Sequence, residues 1–214
     1  MPQDQTFLSE GDAWYRRNRD KDFFSRDDVI FQYVTEHLKP QKILDVGCSD
    51  GARLNRLATS VGAKGYGIDP SHEAITSGTK QFPDLELTHG LAHTLPYDNG
   101  FFDLITIRYV FHWVERTKLL QTVSEIDRVL AENGLLIIYD FDPHFPCRIR
   151  YHHLPNEDVY TYKQPHWDMF RASNTYGTVF MQECLHDGVF DPMNLMKMVV
   201  LQKRSYSQYP LITL

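Results

Sequence analysis

The 214-residue chain has few cysteines, no excess of basic residues and no long apolar run. Its three cysteines are an odd number without the spacing of a disulfide framework, which predicts reduced thiols and a cytoplasmic location. A net charge of −6 argues against the basic surface of nucleic-acid-binding proteins. No segment approaches the roughly 20 apolar residues of a membrane span, and none resembles a secretion signal. We therefore expect one soluble domain without a membrane partner.

Short basic clusters occur around Arg16 and Arg17 and again at 148–150. Because they are isolated in an acidic chain, we interpret Arg17 and Arg19 as solvated surface.

Strand-like and helix-like segments alternate in the manner of a parallel sheet wrapped by helices. A first helix is stopped by Pro40, and an amphipathic helix that begins near Leu119 ends near Gly134. Two later strands, joined by the turn-rich segment 186–192 without a helix, should pair antiparallel. The predicted strands centre on 43–46, 66–69, 85–88, 104–107, 135–139, 178–182 and 196–201.

The segment ILDVGCSDG, from Ile43 to Gly51, combines an apolar strand, a glycine-containing turn and a helix start. Such a loop cradles a nucleotide, because Gly47 lets a ligand approach the backbone and Gly51 lets the helix pack closely. Asp45 closes the strand. Asp69 ends the next strand-like run, at the interval at which such folds place a carboxylate on a ribose diol.

The loop does not match a dinucleotide site. Ser49 stands where the fingerprint G-x-G-x-x-G needs its second glycine, and no third glycine is in phase. The carboxylate of Asp45 would also repel a pyrophosphate. S-adenosylmethionine has no phosphate, and its ammonium group is attracted by an acid, so we predict this cofactor over the alternative of a nicotinamide.

Three motifs in this order resemble the class I S-adenosylmethionine-dependent methyltransferases, over residues 40–141. Asp45, Gly47 and Gly51 match the motif D-x-G-x-G-x-G. The stretch HGLAHTLPYDNGFFDLIT at 89–106 is similar to the family's G-D-A-x-x-L-P-F and F-D-L-V segment, and RVLAENGLLI at 128–137 is similar to its turn into the fifth strand.

Two positions depart from the family pattern. Ser49 replaces the middle glycine, a small-for-small change that the loop should tolerate. Leu91 replaces the acid that often bonds the adenine amino group, so adenine should be held by backbone groups and apolar contacts.

The resemblance implies an α/β, Rossmann-like, doubly wound sheet of seven strands, mostly parallel with an antiparallel last strand. We expect a single domain with an N-terminal flap (1–25), a cofactor-binding core (40–141), a substrate cap (141–176) and a C-terminal strand pair (177–204). In related methyltransferases a preceding helix covers the cofactor with aromatic and polar contacts, although Trp14 and Tyr15 could instead patch the core edge. The cofactor-binding residues that we predict are Asp45, Gly47, Cys48, Ser49, Gly51, Asp69, Pro70, Leu91, Ala92, Arg108, Trp14 and Arg16.

The connection 141–176 is unusually rich in aromatic residues and histidines. It is long for a compact domain and too aromatic for disorder, and it follows a strand end, so we interpret it as the substrate cap. Its histidines match no metal-ligand pattern, so we predict no metal. The predicted substrate contacts are Tyr109, Trp113, Tyr151, His152 and His153.

Methyl transfer requires alignment and exclusion of water, and only some acceptors also require a base. For a hydroxyl acceptor His112, which follows the fourth strand, is the predicted base, with a structural role as the alternative. His152 and His153 compete for the role of base.

The acidic balance and the aromatic cap favour a small-molecule acceptor, and the tail faintly resembles methyltransferases of glycan or natural-product pathways. An RNA or protein methyltransferase is one alternative. A subunit that binds the cofactor without transferring methyl is another.

Overall fold

The computed structural model describes residues 3–20, 28–185, 190–208 and 212. The helices are α1 (Gln3–Asn18), α2 (Val29–His37), α3 (Ala52–Val61), α4 (His72–Gln81), α5 (Leu119–Val129) and α6 (Asp168–Ala172). The strands are β1 (Lys42–Val46), β2 (Lys64–Asp69), β3 (Glu86–His89), β4 (Phe102–Arg108), β5 (Leu130–Phe141), β6 (Cys147–Arg150), β7 (Tyr160–Lys163), β8 (Tyr176–Leu185) and β9 (Leu195–Lys203). Two short 3-10 turns cover Phe111–Trp113 and Tyr206–Gln208.

The main sheet has seven strands in the order β3-β2-β1-β4-β5-β9-β8. The strands from β1 to β5 are parallel, β9 runs antiparallel to β5, and β8 runs antiparallel to β9. This arrangement confirms the predicted fold class. The order reverses between β1 and β4, and open α/β sheets bind ligands at the carboxyl ends of the strands at such a switch point.

The central strands are apolar on both faces because a layer packs against each side of the sheet. Alternate residues of the same strands enter two separate cores. One core contains Leu44, Ile105 and Leu136, and the other contains Ile43, Leu104 and Ile137. The sheet is therefore a rigid platform for the loops at its edge.

Two predicted boundaries need comment. The amphipathic helix ends at Val129, earlier than predicted, because Leu130 is already extended and begins β5. Gly134 lies within β5, directly after Asn133, which has a φ of 63°. In the turn predicted between the last two strands, 186–189 lie outside the described residues.

The 141–176 connection contains secondary structure that the sequence did not predict. β6 and β7 form an antiparallel hairpin, with Arg150 opposite Tyr160, and α6 follows it. No helix among the described residues is long and apolar enough to cross a membrane.

Candidate active site

The loop after β1 turns through three left-handed residues, Gly47 (φ 77°), Ser49 (φ 53°) and Gly51 (φ 78°). The loop is fixed to β2, because the Gly47 N–H donates to the Ile68 carbonyl at 2.8 Å. A left-handed conformation costs a non-glycine residue about 1 kcal/mol. Ser49 adopts it where the family has glycine, so the loop keeps its course despite the substitution.

The two glycines of the loop are needed for close packing. A Cβ at Gly47 would lie 2.3 Å from Cγ2 of Val110, which follows β4. A Cβ at Gly51 would lie 2.9 Å from Leu85 and 3.1 Å from Leu87. Gly47 thus accommodates the segment after β4, a role that the sequence did not reveal. Gly51 allows the predicted tight approach, and its neighbours are Leu85, just before β3, and Leu87 of β3.

Asp69 stands at the end of β2 with both carboxylate oxygens oriented by backbone groups. The N–H of Ser49 donates to Oδ2 and the N–H of Ser71 donates to Oδ1, each at 2.8 Å. Burial raises the pKa of Asp69 to about 6, although the two N–H groups oppose the shift. Each oxygen retains a lone pair, so the side chain can accept two more hydrogen bonds from a diol.

Asp45 is buried beside a cation that the sequence did not predict. Its Oδ1 accepts the Thr106 hydroxyl at 2.7 Å and pairs with Arg53 of α3. Burial raises the pKa of Asp45, and Arg53 and Thr106 oppose the shift. Oδ2 of Asp45 and Nη1 of Arg53 are buried without a hydrogen-bond partner among the described residues. Buried polar atoms are normally satisfied, so this acceptor and this donor indicate a missing polar ligand.

Helix α1 lies against the turn that follows Asp69. Asp12 accepts the Ser71 hydroxyl at 2.7 Å and the Glu73 N–H at 2.9 Å. A Cβ at Gly11 would lie only 3.1 Å from the Ser71 nitrogen, so the helix contacts the turn closely. The predicted flap is therefore next to Asp69, and its role in closing over a cofactor stays a prediction.

The two flap residues that we predicted to contact the cofactor, Trp14 and Arg16, are both exposed, and that role stays a prediction. Arg16 is exposed and pairs with Glu73 at 2.9 Å. Trp14 is 38% exposed, whereas its neighbour Tyr15 is buried in the core. Tyr15 therefore packs against the core, which is the alternative role that we considered for Trp14 and Tyr15.

A buried polar network joins α1 to the cap. The hydroxyl of Tyr151 donates to Glu10 at 2.6 Å and accepts from Arg17 at 2.9 Å, and Arg17 also pairs with Glu10. The prediction that Arg17 is solvated surface was wrong, because the partner of its helix was not visible in the sequence. Arg19 is exposed, as predicted.

His112 forms a buried pair with Asp140, a residue that the sequence analysis missed. Nδ1 of His112 lies 2.7 Å from Oδ1 of Asp140, which also accepts the Phe141 N–H at 2.8 Å. Burial alone would raise the pKa of Asp140, but the electrostatic interaction and the hydrogen bond with the His112 ring lower it below its usual value. With Nδ1 engaged, Nε2 is the nitrogen that His112 can offer to a substrate.

Aromatic rings surround this pair. Trp113 meets Tyr151 edge to face, with 4.6 Å between ring centroids, and Phe7 of α1 approaches Trp113 at 5.3 Å. Tyr109 has a φ of 59°, a conformation that is rare for a bulky residue and concentrates at functional sites. Its ring lies 6.4 Å from His112.

The cap histidines have different environments. His152 and His153 are exposed in the turn between β6 and β7, with their rings against Tyr151. His166 is buried and stacked on Phe111, and burial lowers its pKa to about 4. Both ring nitrogens of His166 lack partners among the described residues.

The remaining predicted cofactor residues lie around the same edge of the sheet. Cys48 is buried against Gly67 of β2, and burial raises the pKa of its thiol. The Pro70 carbonyl bonds to His89 at 2.9 Å. Leu91 and Ala92 are partly buried, and Arg108 lies 3.8 Å from Asp28, the N-cap of α2.

The chain is similar to known proteins in sequence and in fold. Residues 44–138 match the family described as "Methyltransferase domain". An uncharacterized methyltransferase of Synechocystis sp. is 33% identical over 100 residues, which are 47% of this chain and 47% of that protein. The ubiquinone/menaquinone biosynthesis C-methyltransferase of Campylobacter jejuni is 31% identical over 112 residues, covering 48% of this chain and 46% of that protein. The aligned part thus spans about half the length of these relatives.

Among solved structures, the 1,6-didemethyltoxoflavin-N1-methyltransferase of Burkholderia thailandensis has a TM-score of 0.71 and 13% identity, covering 94% of this chain and 88% of that one. At this identity the likeness shows the fold alone. The family match over residues 44–138, the named relatives and the fold agree, and we conclude that this chain is similar to methyltransferases in both sequence and fold.

Proposed function

We propose that the chain binds S-adenosylmethionine and transfers its methyl group to a small-molecule acceptor that loses a proton in the reaction. The main observation behind this proposal is the environment of Asp69. A half-buried carboxylate at the switch point, with each oxygen oriented by a backbone N–H, is suited to accept both hydroxyls of a ribose. Asp69 would therefore hold the adenosine part of the cofactor.

The residues of the β1 loop suit the amino-acid end of the same cofactor. The unpartnered Oδ2 of Asp45 matches an ammonium group, and the unpartnered Nη1 of Arg53 matches a carboxylate. Because the two side chains are paired through their other atoms, the ligand would complete a charge network that is unsatisfied without it.

The bound sulfonium supplies a methyl group that is already activated. The protein then has to exclude water, orient the acceptor and accept its proton. Trp113 and Tyr109 can form an apolar wall beside His112. Asp140 fixes the proton on Nδ1, which leaves Nε2 as the base, and its carboxylate would stabilise the imidazolium that results.

Two similar proteins and one feature of this chain support the choice of a small acceptor. The name of the Campylobacter relative specifies a quinone pathway, and the Burkholderia structure was solved with its small substrate bound. In this chain the cap and α1 are held together beside His112 by the Tyr151 network, which favours a compact pocket over an open groove. We therefore propose an organic acceptor with a hydroxyl or an acidic C–H group.

The test is titration calorimetry with S-adenosylhomocysteine. Losing two hydrogen bonds to an ionised acceptor costs roughly 2 to 3 kcal/mol, so Asp69→Ala should weaken binding about a hundredfold. Asp84→Ala, which removes an exposed carboxylate at the turn before β3, is the matched control and should bind like the parent protein. Unchanged affinity of the Asp69 variant would refute the assignment.

A further inference from the structure

The outer edge of β8 is an apolar strand edge. β8 is the last strand of the main sheet, and on the side away from β9 it pairs with no strand in the described part of the chain. Four apolar side chains of this strand are exposed, Val179 (52%), Phe180 (37%), Met181 (40%) and Leu185 (48%). Exposed edges of this kind are templates for pairing with another chain.

One negative and one positive side chain lie on opposite sides of the apolar centre of this edge. Glu183 is the single charged residue of β8, and its side chain is 88% exposed, with Lys197 at 3.8 Å. Three residues before Phe180, Gly177 lies beside Arg204, whose Nε is 3.6 Å from the Cβ position of Gly177. Arg204 bonds to Asn174 and has no carboxylate partner in the described ranges. A negative charge and a positive charge thus flank the apolar centre at equal distances along the strand.

We propose that β8 is the contact through which two copies of this chain associate, antiparallel about a two-fold axis near Phe180. Such an axis places Val179 of each copy opposite Met181 of the other. It also places Glu183 of each copy next to Gly177 and Arg204 of the other. A two-fold contact must be self-complementary, and this edge meets that condition in both its apolar centre and its charged ends.

The local geometry indicates that side chains carry the contact. The pairing of β8 with β9 shifts between Thr178 and Phe180, and such a bulge interrupts the regular backbone. Phe180 is held from behind by Tyr33 of α2, with 4.9 Å between the ring centroids. The apolar centre is therefore a fixed platform, and the two ion pairs would set the register of the copies.

The experiment is sedimentation velocity of the full chain with single and double charge reversals. The parent protein should be a dimer. Glu183→Arg and Arg204→Glu should each raise the dissociation constant at least about tenfold, because each replaces two attractions with two repulsions. The double variant restores both pairs with opposite polarity and should dimerise like the parent. Glu157→Arg, an exposed position on the hairpin turn, controls for the change of net charge.

Circular dichroism would verify that each variant is folded, and Met181→Lys provides a second disruption of the edge if a reversal variant fails to fold. A monomeric parent protein would overturn the proposal. So would a dimer that is insensitive to both reversals, or a double variant that remains dissociated. Because neither charge lies at the methyl-transfer site, S-adenosylhomocysteine binding should be the same in all variants, which separates this proposal from the proposed function.

Discussion

At the scale of single residues, the His112–Asp140 pair is the sharpest feature of the site. Both side chains are buried, and a 2.7 Å hydrogen bond fixes which nitrogen of His112 carries the proton. An uncharged partner would lose that control and would not stabilise a protonated ring. The pair therefore acts as a unit in the proposed mechanism.

We expect Asp140→Asn to lower kcat about a hundredfold, within the range that general-base catalysis contributes. Affinity for S-adenosylhomocysteine should be unchanged, because Asp140 faces His112 and not the β1 loop. Steady-state kinetics and calorimetry on the same preparation measure both quantities. Asp158→Asn, on the exposed hairpin turn, is the control. A parallel loss of cofactor affinity would place the pair in the cofactor site instead.

Asp69 predicts a pH dependence of cofactor binding. Its pKa is raised to about 6 in the free protein, and only the ionised carboxylate accepts both ribose hydroxyls. Binding should therefore release protons near pH 6, and affinity should fall as the pH drops below 6, by up to about tenfold per unit. Calorimetry between pH 5 and 8 measures this slope, with those limits bracketing the pKa. In Asp69→Asn affinity should be weak and independent of pH; a slope retained in that variant would assign the titration to another group.

At the scale of secondary-structure elements, α1 joins the two halves of the proposed site. Asp12 attaches it to the turn after β2, and Glu10 and Arg17 attach it to Tyr151 in the cap. A single helix thus contacts the cofactor side and the acceptor side. We therefore expect cofactor binding and acceptor binding to be coupled through this helix.

We expect that deleting residues 1–20 leaves the sheet folded, since the residues of both core clusters come later in the chain and Tyr15 is not among them. Far-ultraviolet circular dichroism should change only by the loss of one helix. Binding of S-adenosylhomocysteine should weaken and turnover should be abolished, because the site would remain open to water. Tyr151→Phe removes one link only and should keep cofactor affinity. Equal binding by the truncated and full chains would exclude the flap.

At the scale of the whole molecule, the burial of His166 makes the free energy of unfolding depend on pH. It is buried and neutral, with a pKa of about 4 against 6.5 in the unfolded chain. The unfolded state therefore binds more protons between these values, so this contribution is complete above pH 6.5 and is lost as the pH falls towards 4. The loss amounts to about 3 kcal/mol. Asp69 has the opposite effect, because its pKa is raised in the folded protein. Between pH 3.8 and 6 the folded state therefore binds more protons at Asp69, which offsets part of the stability lost through His166.

Urea unfolding as a function of pH measures this effect. The parent protein should lose stability from pH 6.5 downwards, the window set by the pKa of His166. His166→Phe should have a shallower acid slope, whereas His37→Phe, an exposed histidine of α2, should keep the parent slope. Equal slopes in all three proteins would contradict the assignment to His166.

The amino-acid sequence alone was enough to predict the architecture and to place the proposed cofactor site at the carboxyl ends of β1 and β2. Apolar runs of strand length, separated by helical periodicity, have few ways to be buried other than a layered sheet, so the seven strands were predictable. Gly51 and Asp69 were predictable for a related reason. Their roles depend on positions within one local strand, turn and helix unit, where spacing along the chain fixes geometry.

Which distant residues meet could be seen only in the folded molecule. Asp140 lies near the end of β5, and only the parallel register of β4 and β5 brings it to His112. Arg17 became part of a buried network because Tyr151, 134 residues away, folds onto its helix. Neither the hairpin in the cap nor the apolar edge of β8 was predicted from the sequence. Such contacts depend on packing between elements, and a pattern read along one chain does not record which surfaces face each other.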